Sequence, residues 1–380
     1  MTDKSIVKTN KDHGGKEFTS SCHFVGKVKP VRNQENGTDN WVDVPYYREE
    51  TDDNGKIKKI LEFIIETAES NDLKVKLSGR EMPFVYPYSS SKKKSVKLSW
   101  EDRFDKAKYP DDTYHYIDSE WDKIDKFKEL IYTDAWIEVK GKHNPYEFTD
   151  ERDNEIKGVS RIPSYINPII DGKVKIGDEL RAIQVNKVDI PYICDLKSPD
   201  FVEVNNFKMQ IGIRSTYADK EKGMTNVNGV FLTYGKTSSE PKNVHLIVYQ
   251  QEASEGKKPL ADAFESLDEF DFIEVTGQDN NRATFTWLPI KEKLDDNDPF
   301  ADVDESNKQV SYEKVTNGAK KGLEITGYVA GSLIREYLTE AELVKSVSTT
   351  QEDPLKTENK KDPFDDNAHP IDFSDDDLPF

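Results

Sequence analysis

The chain has 380 residues, with 54 basic against 73 acidic side chains, 11% aromatics and a formal net charge of −19. That length allows two ordinary domains, a charge spread uniformly would exclude a nucleic-acid partner, and two cysteines, Cys22 and Cys194, exclude a disulfide framework or a cysteine zinc site. The first fifteen residues lack the apolar core of a signal peptide and no apolar run approaches a membrane span, so a cytoplasmic protein with no membrane partner is expected.

After residues 1–15, expected to be disordered, the runs FTSSCHFVGKVKPV, NWVDVPYY, KKILEFIIETAE and LKVKLSG carry strand patterning. Next comes PFVYPYSSSKKKSVKLSWEDRF, residues 83–104. Phe84, Tyr86 and Tyr88 alternate and would share one face of an extended segment; Lys92, Lys93, Lys94, Lys97 and Arg103 follow, with Trp100 among them. Aromatic planes stack unpaired bases while cations follow phosphates, so these nine residues are the candidate single-stranded DNA contacts. Prolines at 83 and 87 weigh against a central strand. The charge here is far from uniform. Residues 72–108 hold ten basic and five acidic side chains, a net of +5, whereas 351–380 hold three basic and ten acidic, a net of −7.

DSEWDKIDKFKELI has apolar residues at helical spacing and leads into the strand AWIEVKG ending at Gly141; ADAFESLDEF leads in the same way into DFIEVTG ending at Gly277. The two glycines are 277 − 141 = 136 residues apart, a spacing that reads as domain duplication. RIPSYINPII follows the first copy. Around the second copy lie LRAIQVNKV, FVEVNNFKMQIGI, VNGVFLTYG and NVHLIVYQQ, then RATFTWLPI. Strands, one helix, then further strands is the order of the OB-fold, a five-stranded Greek-key barrel. The expected fold is therefore mainly β: two OB-like barrels with one helix each, over 16–178 and 179–345, the second with an acidic loop at 295–307. A further strand and short helix in KGLEITGYVAGSLIREYLTEAELV would pack on the second barrel, and 346–380 would be a disordered acidic tail.

Catalytic signatures are missing from the sequence. Gly235-Lys236-Thr237 has valine at 230 where a phosphate loop needs glycine, and the six histidines include no His-x-x-x-His pair. No enzyme, cofactor or metal site is expected. Lys208, Arg214, Tyr217, Lys220 and Lys222 form a milder basic-aromatic stretch near a hairpin, a second candidate contact.

The last ten residues, IDFSDDDLPF, resemble the C-terminal tip of bacterial single-stranded DNA-binding proteins: an acidic run followed by a terminal Pro-Phe. The likeness is confined to that tip, and family members usually carry one shorter barrel per chain. It implies a large, divergent, phage-encoded member that coats single-stranded DNA in replication or recombination, as a monomer or homodimer. It also implies recruitment of replication, recombination or repair proteins through Asp375, Asp376, Asp377, Leu378, Pro379 and Phe380. Physically, the Phe380 ring suits an apolar pocket, Pro379 restricts the backbone, and the aspartates speed encounter with a basic surface. The rival reading is an interaction protein that mimics the tip to occupy host docking pockets without binding DNA.

Overall fold

The computed structural model describes residues 6–11, 13–35, 40–51, 55–149, 155–235, 237–251, 257–289 and 312–343. The acidic loop at 295–307 and the tail at 346–380, with Asp375, Asp376, Asp377, Leu378, Pro379 and Phe380, lie outside the described residues. The fold is mainly β. Its first half is built from β1 (Ser20–Lys29), β2 (Ile57–Ala68), β3 (Asn71–Arg80), α1 (Glu120–Phe127), β4 (Trp136–Thr149) and β5 (Glu155–Ile170). Antiparallel ladders join β1 to β2, β2 to β3, β1 to β4 and β4 to β5, and β5 runs alongside β3. Alternation along these strands sends Phe24, Leu61, Phe63, Ile65, Leu73 and Val75 into one core, which Ile124 and Phe127 of α1 close at one end. Ser119 caps that helix, its side chain accepting from the Asp122 N–H.

Three short strands follow: β6 (Lys173–Ile176), β7 (Glu179–Val185) and β8 (Val188–Ile190). They ladder in sequence onto β5. LRAIQVNKV, expected to open the second half, is this β7–β8 hairpin, so the boundary expected at 178/179 falls in the turn before β7. The physical reason is apolar: Ile169, Val174, Ile183 and Tyr192 bury one another against Val25 of β1.

The second half repeats the first with β9 (Val204–Asp219), β10 (Met224–Thr233), β11 (Glu240–Tyr249), α2 (Leu260–Glu265), β12 (Phe272–Pro289) and β13 (Tyr312–Tyr328); the short helix α3 (Glu340–Leu343) follows. Ladders join β9 to β10, β10 to β11, β9 to β12 and β12 to β13, and a parallel pairing of β11 with β13 closes the circuit. RATFTWLPI is thus no separate strand: it continues β12 unbroken from DFIEVTG, and KGLEITGY supplies the closing strand. The N-terminus also departs from expectation. Lys8–Thr9 pairs with Lys16–Glu17, and Val7 is buried in the second core, so burial of an apolar side chain holds residues 6–15 in place.

The two circuits are joined edge to edge by an antiparallel ladder between β1 and β9. Cys22 lies opposite Phe207 in that ladder, while Cys22 lies opposite Gly141 and Phe207 opposite Gly277 in the flanking ones. Each of the two residues therefore faces its own counterpart, which is what an approximate two-fold relation between the halves requires. The repeated glycine has a steric cause. A Cβ on Gly141 would sit 2.1 Å from the Ile162 carbonyl oxygen, and one on Gly277 would sit 1.8 Å from that of Glu324, each beside a β-bulge in the neighbouring strand.

A buried polar seam locks the junction. Asp279 accepts from His143 Nε2 at 2.7 Å and from Arg161 Nε and Nη2 at 2.6 Å each, and its main-chain oxygen accepts from Asn205 Nδ2 at 3.0 Å. Burial alone would push the Asp279 carboxyl up; Arg161 and His143 instead hold it well below the usual range. Burial, and then Asp279, pushes the nearby Cys22 thiol up, which leaves it unreactive.

Candidate nucleic-acid interface

The β2–β3 hairpin has an inward apolar face, so its other face must carry the remaining residues: Lys58, Glu62, Lys74, Lys76 and Arg80 point outward. Cross-strand register sets Lys58 opposite Arg80 and Glu62 opposite Lys76. A short edge strand, Tyr47–Thr51, adds Arg48 beside Ile60. Five cations thus share one surface with the carboxylates of Glu50, Glu62, Glu66 and Asp72. Glu62 is buried among them, accepting from Arg48 Nη1 at 2.8 Å and pairing with Lys74 Nζ at 2.7 Å. Its own burial would raise its carboxyl, yet Lys74 and Arg48 bring it below the ordinary glutamate value. Lys76 is lowered, first by burial and, against the pull of Glu62, by the cations Lys58, Lys74 and Arg48.

The segment that follows Arg80 folds back on itself. Phe84–Val85 pairs with Leu98–Ser99, and Tyr88–Ser89 pairs with Lys94–Ser95 and bridges to His115. Such an insertion needs an apolar centre of its own, and Val85, Trp100 and Trp121 provide it with Met82, Leu98 and Tyr116 around them. Trp100, expected to stack a base, is only 8% exposed and has the Arg103 guanidinium 4.1 Å from its ring centroid. Arg103, expected on a phosphate, donates to the Trp100 carbonyl at 2.8 Å and pairs with Asp122 at 3.2 Å. Both hold the insertion onto α1, because the small centre consumes its largest ring and the cation that covers it.

The other seven candidates are presented to solvent to differing degrees. Phe84 is 41% exposed with Lys97 Nζ 3.6 Å from its ring centroid, and Tyr86 is 37% exposed. Lys92 is exposed but paired with Asp111, whose carboxyl Lys92 and Thr113 bring down to about 2. Lys93 occupies the hairpin turn with φ 51°, and Lys94 is exposed. Tyr88 and Lys93 face a groove between the two halves rather than the surface that carries Phe84. The milder stretch disperses: Lys208 pairs with Glu274 at 2.7 Å, Arg214 donates to the Leu343 carbonyl, and Lys222 closes a turn on Asp219 at 3.2 Å.

Sequence reasoning missed Arg48 and Lys58, which lie outside the aromatic segment, and Trp41. That indole is 62% exposed on a hairpin formed by Arg32–Gln34 and Trp41–Asp43 in the β1–β2 connection. The signal was present. Asn36-Gly37 between two short polar-apolar runs is a sequence signal for a hairpin, which would have set Trp41 opposite residues before it rather than in a longer strand to Tyr47. Among the described residues, no three His, Cys, Asp or Glu side chains cluster as metal ligands would, and no helix is long and apolar enough to cross a membrane.

A search of curated proteins finds no match. Among solved structures, the wild-type single-stranded DNA binding protein from Thermus aquaticus is similar over 70% of this chain and 86% of that one, with 10% identity and a TM-score of 0.33. A deletion mutant of the same protein is similar over 70% and 88%, with 9% identity and a TM-score of 0.32. A likeness at that level carries no argument about function. Residues 143–361 match the model of the YorF family, from His143 of the seam through the whole second circuit. That span is more than half of the chain, and the protein therefore belongs to the YorF family.

Proposed function

We propose that the protein binds single-stranded DNA without catalysing a reaction, and that each strand circuit is an OB-like barrel. The observation that carries this reading is the outer face of β2, β3 and the edge strand Tyr47–Thr51, where Lys58, Lys74, Lys76, Arg80 and Arg48 gather on a chain of net charge −19. The second-and-third-strand face is where this fold accommodates oligonucleotides, and exposed rings at Trp41, Phe84 and Tyr86 flank it in sequence. The cations follow the phosphates and the rings stack unpaired bases. Within the reading, the first unit runs to about residue 203, the second to about 345, and the site belongs to the first. The protein coats DNA during replication or recombination, in a cytoplasm, and Asp375 to Phe380 recruit partner proteins.

The test is fluorescence anisotropy with labelled oligo-dT and a duplex of equal length. Single strand should bind at moderate salt where duplex does not, with a slope of log affinity against log salt of about −0.7 for each phosphate contacted. Equal affinity for both forms would count against stacking, and no affinity for either would end the proposal.

A further inference from the structure

We infer that the groove between the two barrels is a second track for the same single strand, entered from the insertion over Tyr88 and Lys93. This rests on the single-strand reading above and extends it beyond the first barrel. The groove encloses about 1700 Å³ and straddles the β1–β9 junction. Nine lysines and five acidic residues line it, and Glu138 and Glu274 pair with Lys140 and Lys208 beside it, which leaves a local excess of 9 − 7 = 2 positive charges on a chain of net charge −19.

Its geometry suits a strand with bases to stack. In β4, Lys140, Lys142, Tyr146 and Phe148 occupy alternate positions and so share a face, with two residues advancing roughly 6.7 Å. Tyr146 and Phe148 are stacked on each other, centroids 5.9 Å apart and planes 25° apart. Opposite Tyr146 in the ladder is Gly158, and a Cβ there would meet the phenol oxygen at 2.4 Å, so the ring lies across the glycine and is fixed before any ligand arrives. Cations at the start of this row and prearranged rings at its end repeat the chemistry of the first face. An acidic polypeptide would use the lysines but has no need of the rings. Tyr88 and Lys93 stand on the groove's rim, and the hairpin that carries them also carries Phe84 and Lys97, so one strand can pass from the outer face to the groove without leaving cationic surface.

The experiment compares oligo-dT of about 8 and about 30 nucleotides, one and two barrel-sized sites, on the full chain and on a Lys123→Glu/Lys142→Glu double variant. Neither residue belongs to the first face. The variant should bind the short oligonucleotide as the wild type does, which also certifies its fold. It should bind the long one at least tenfold more weakly, with a salt slope smaller by about 1.4. Unchanged long-oligonucleotide binding overturns the groove while leaving the first site standing. A wild type that binds neither length removes both. If the double variant loses poly-glutamate binding and keeps the long oligonucleotide, the groove is a docking site for acidic polypeptide and the inference is wrong.

Discussion

The two halves share a strand plan and differ in what they put on it. On the outer face of β2 and β3 the first half sets Lys58, Lys74, Lys76 and Arg80 among Glu62, Glu66 and Asp72. The corresponding face of β10 and β11, by the same alternation, carries Asn226, Asn228, Asn243, His245 and Ile247, with no lysine, arginine or carboxylate, while Val230 is buried in the second core. At the junction the counterparts are closer. His23 pairs with Glu138 at 2.8 Å and Lys208 with Glu274 at 2.7 Å, in the same ladder positions. His143 and Asp279 are counterparts as well, and they pair with each other. Duplication thus conserved what closes the scaffold and let the solvent faces diverge. The YorF match, beginning at 143, spans the half with the uncharged outer face and leaves the charged face outside it.

The largest expected effect comes from the seam, where the halves depend on each other. Asp279→Ala leaves Arg161 and His143 buried without their acceptor, and should cost about 3–5 kcal/mol in urea unfolding. Separation into two unfolding transitions would show that the barrels are joined only there; a single, shifted transition is expected, because the β1–β9 ladder remains.

Acid should weaken the first barrel through Glu138. Burial would raise this carboxyl, but His23 and Lys140 lower it to about 2 from an ordinary glutamate value. A depressed folded value means stability that is fully present above about pH 5 and is lost as pH falls toward 2, worth about 3 kcal/mol. The stability gap between wild type and Glu138→Gln, followed by chemical denaturation, should be full near pH 5 and close as pH falls below it. A gap that widens in acid would reverse the assigned sign.

The repeated glycines sharpen the equivalence. Gly141→Ala and Gly277→Ala should each destabilise by about 1–3 kcal/mol, since both would drive a methyl into a backbone carbonyl. A tolerated substitution at one site alone would show that the bulges are not equivalent.

Two tryptophans separate packing from binding within the first barrel. Trp41→Ala should leave stability unchanged and lose about 1–3 kcal/mol of single-strand affinity. Trp100→Ala should lower the thermal midpoint by removing the centre of the insertion. An exchange of these outcomes would return Trp100 to the stacking role its sequence neighbours imply.

How much of this was readable in the chain follows from what periodicity records. Helix-then-strand ending in glycine announced the duplication, because a strand with one buried face must alternate and the bulge beside it admits no side chain at Gly141 or Gly277. The basic character of 72–108 was equally plain in composition. Burial was not. Trp100 and Tyr86 sit in the same stretch with the same neighbours, and only the hairpin pairing of Leu98–Ser99 with Phe84–Val85 decides which ring fills the centre and which faces water. Nor could spacing reveal that LRAIQVNKV would ladder onto β6 and, through it, extend the sheet of β5, since a strand's pattern names its faces and not its partner.

The most direct test alters each outer face in turn. Lys74→Gln/Lys76→Gln in the first barrel and Asn228→Gln/Asn243→Gln in the second are titrated with labelled oligo-dT across a salt series, with circular dichroism as the fold control. The first pair should flatten the salt slope by about 1.4 and weaken binding most at low salt; the second should match the wild type. Equal losses from both pairs, or an unchanged slope in the lysine variant, would contradict the placement of the nucleic-acid site on the first barrel.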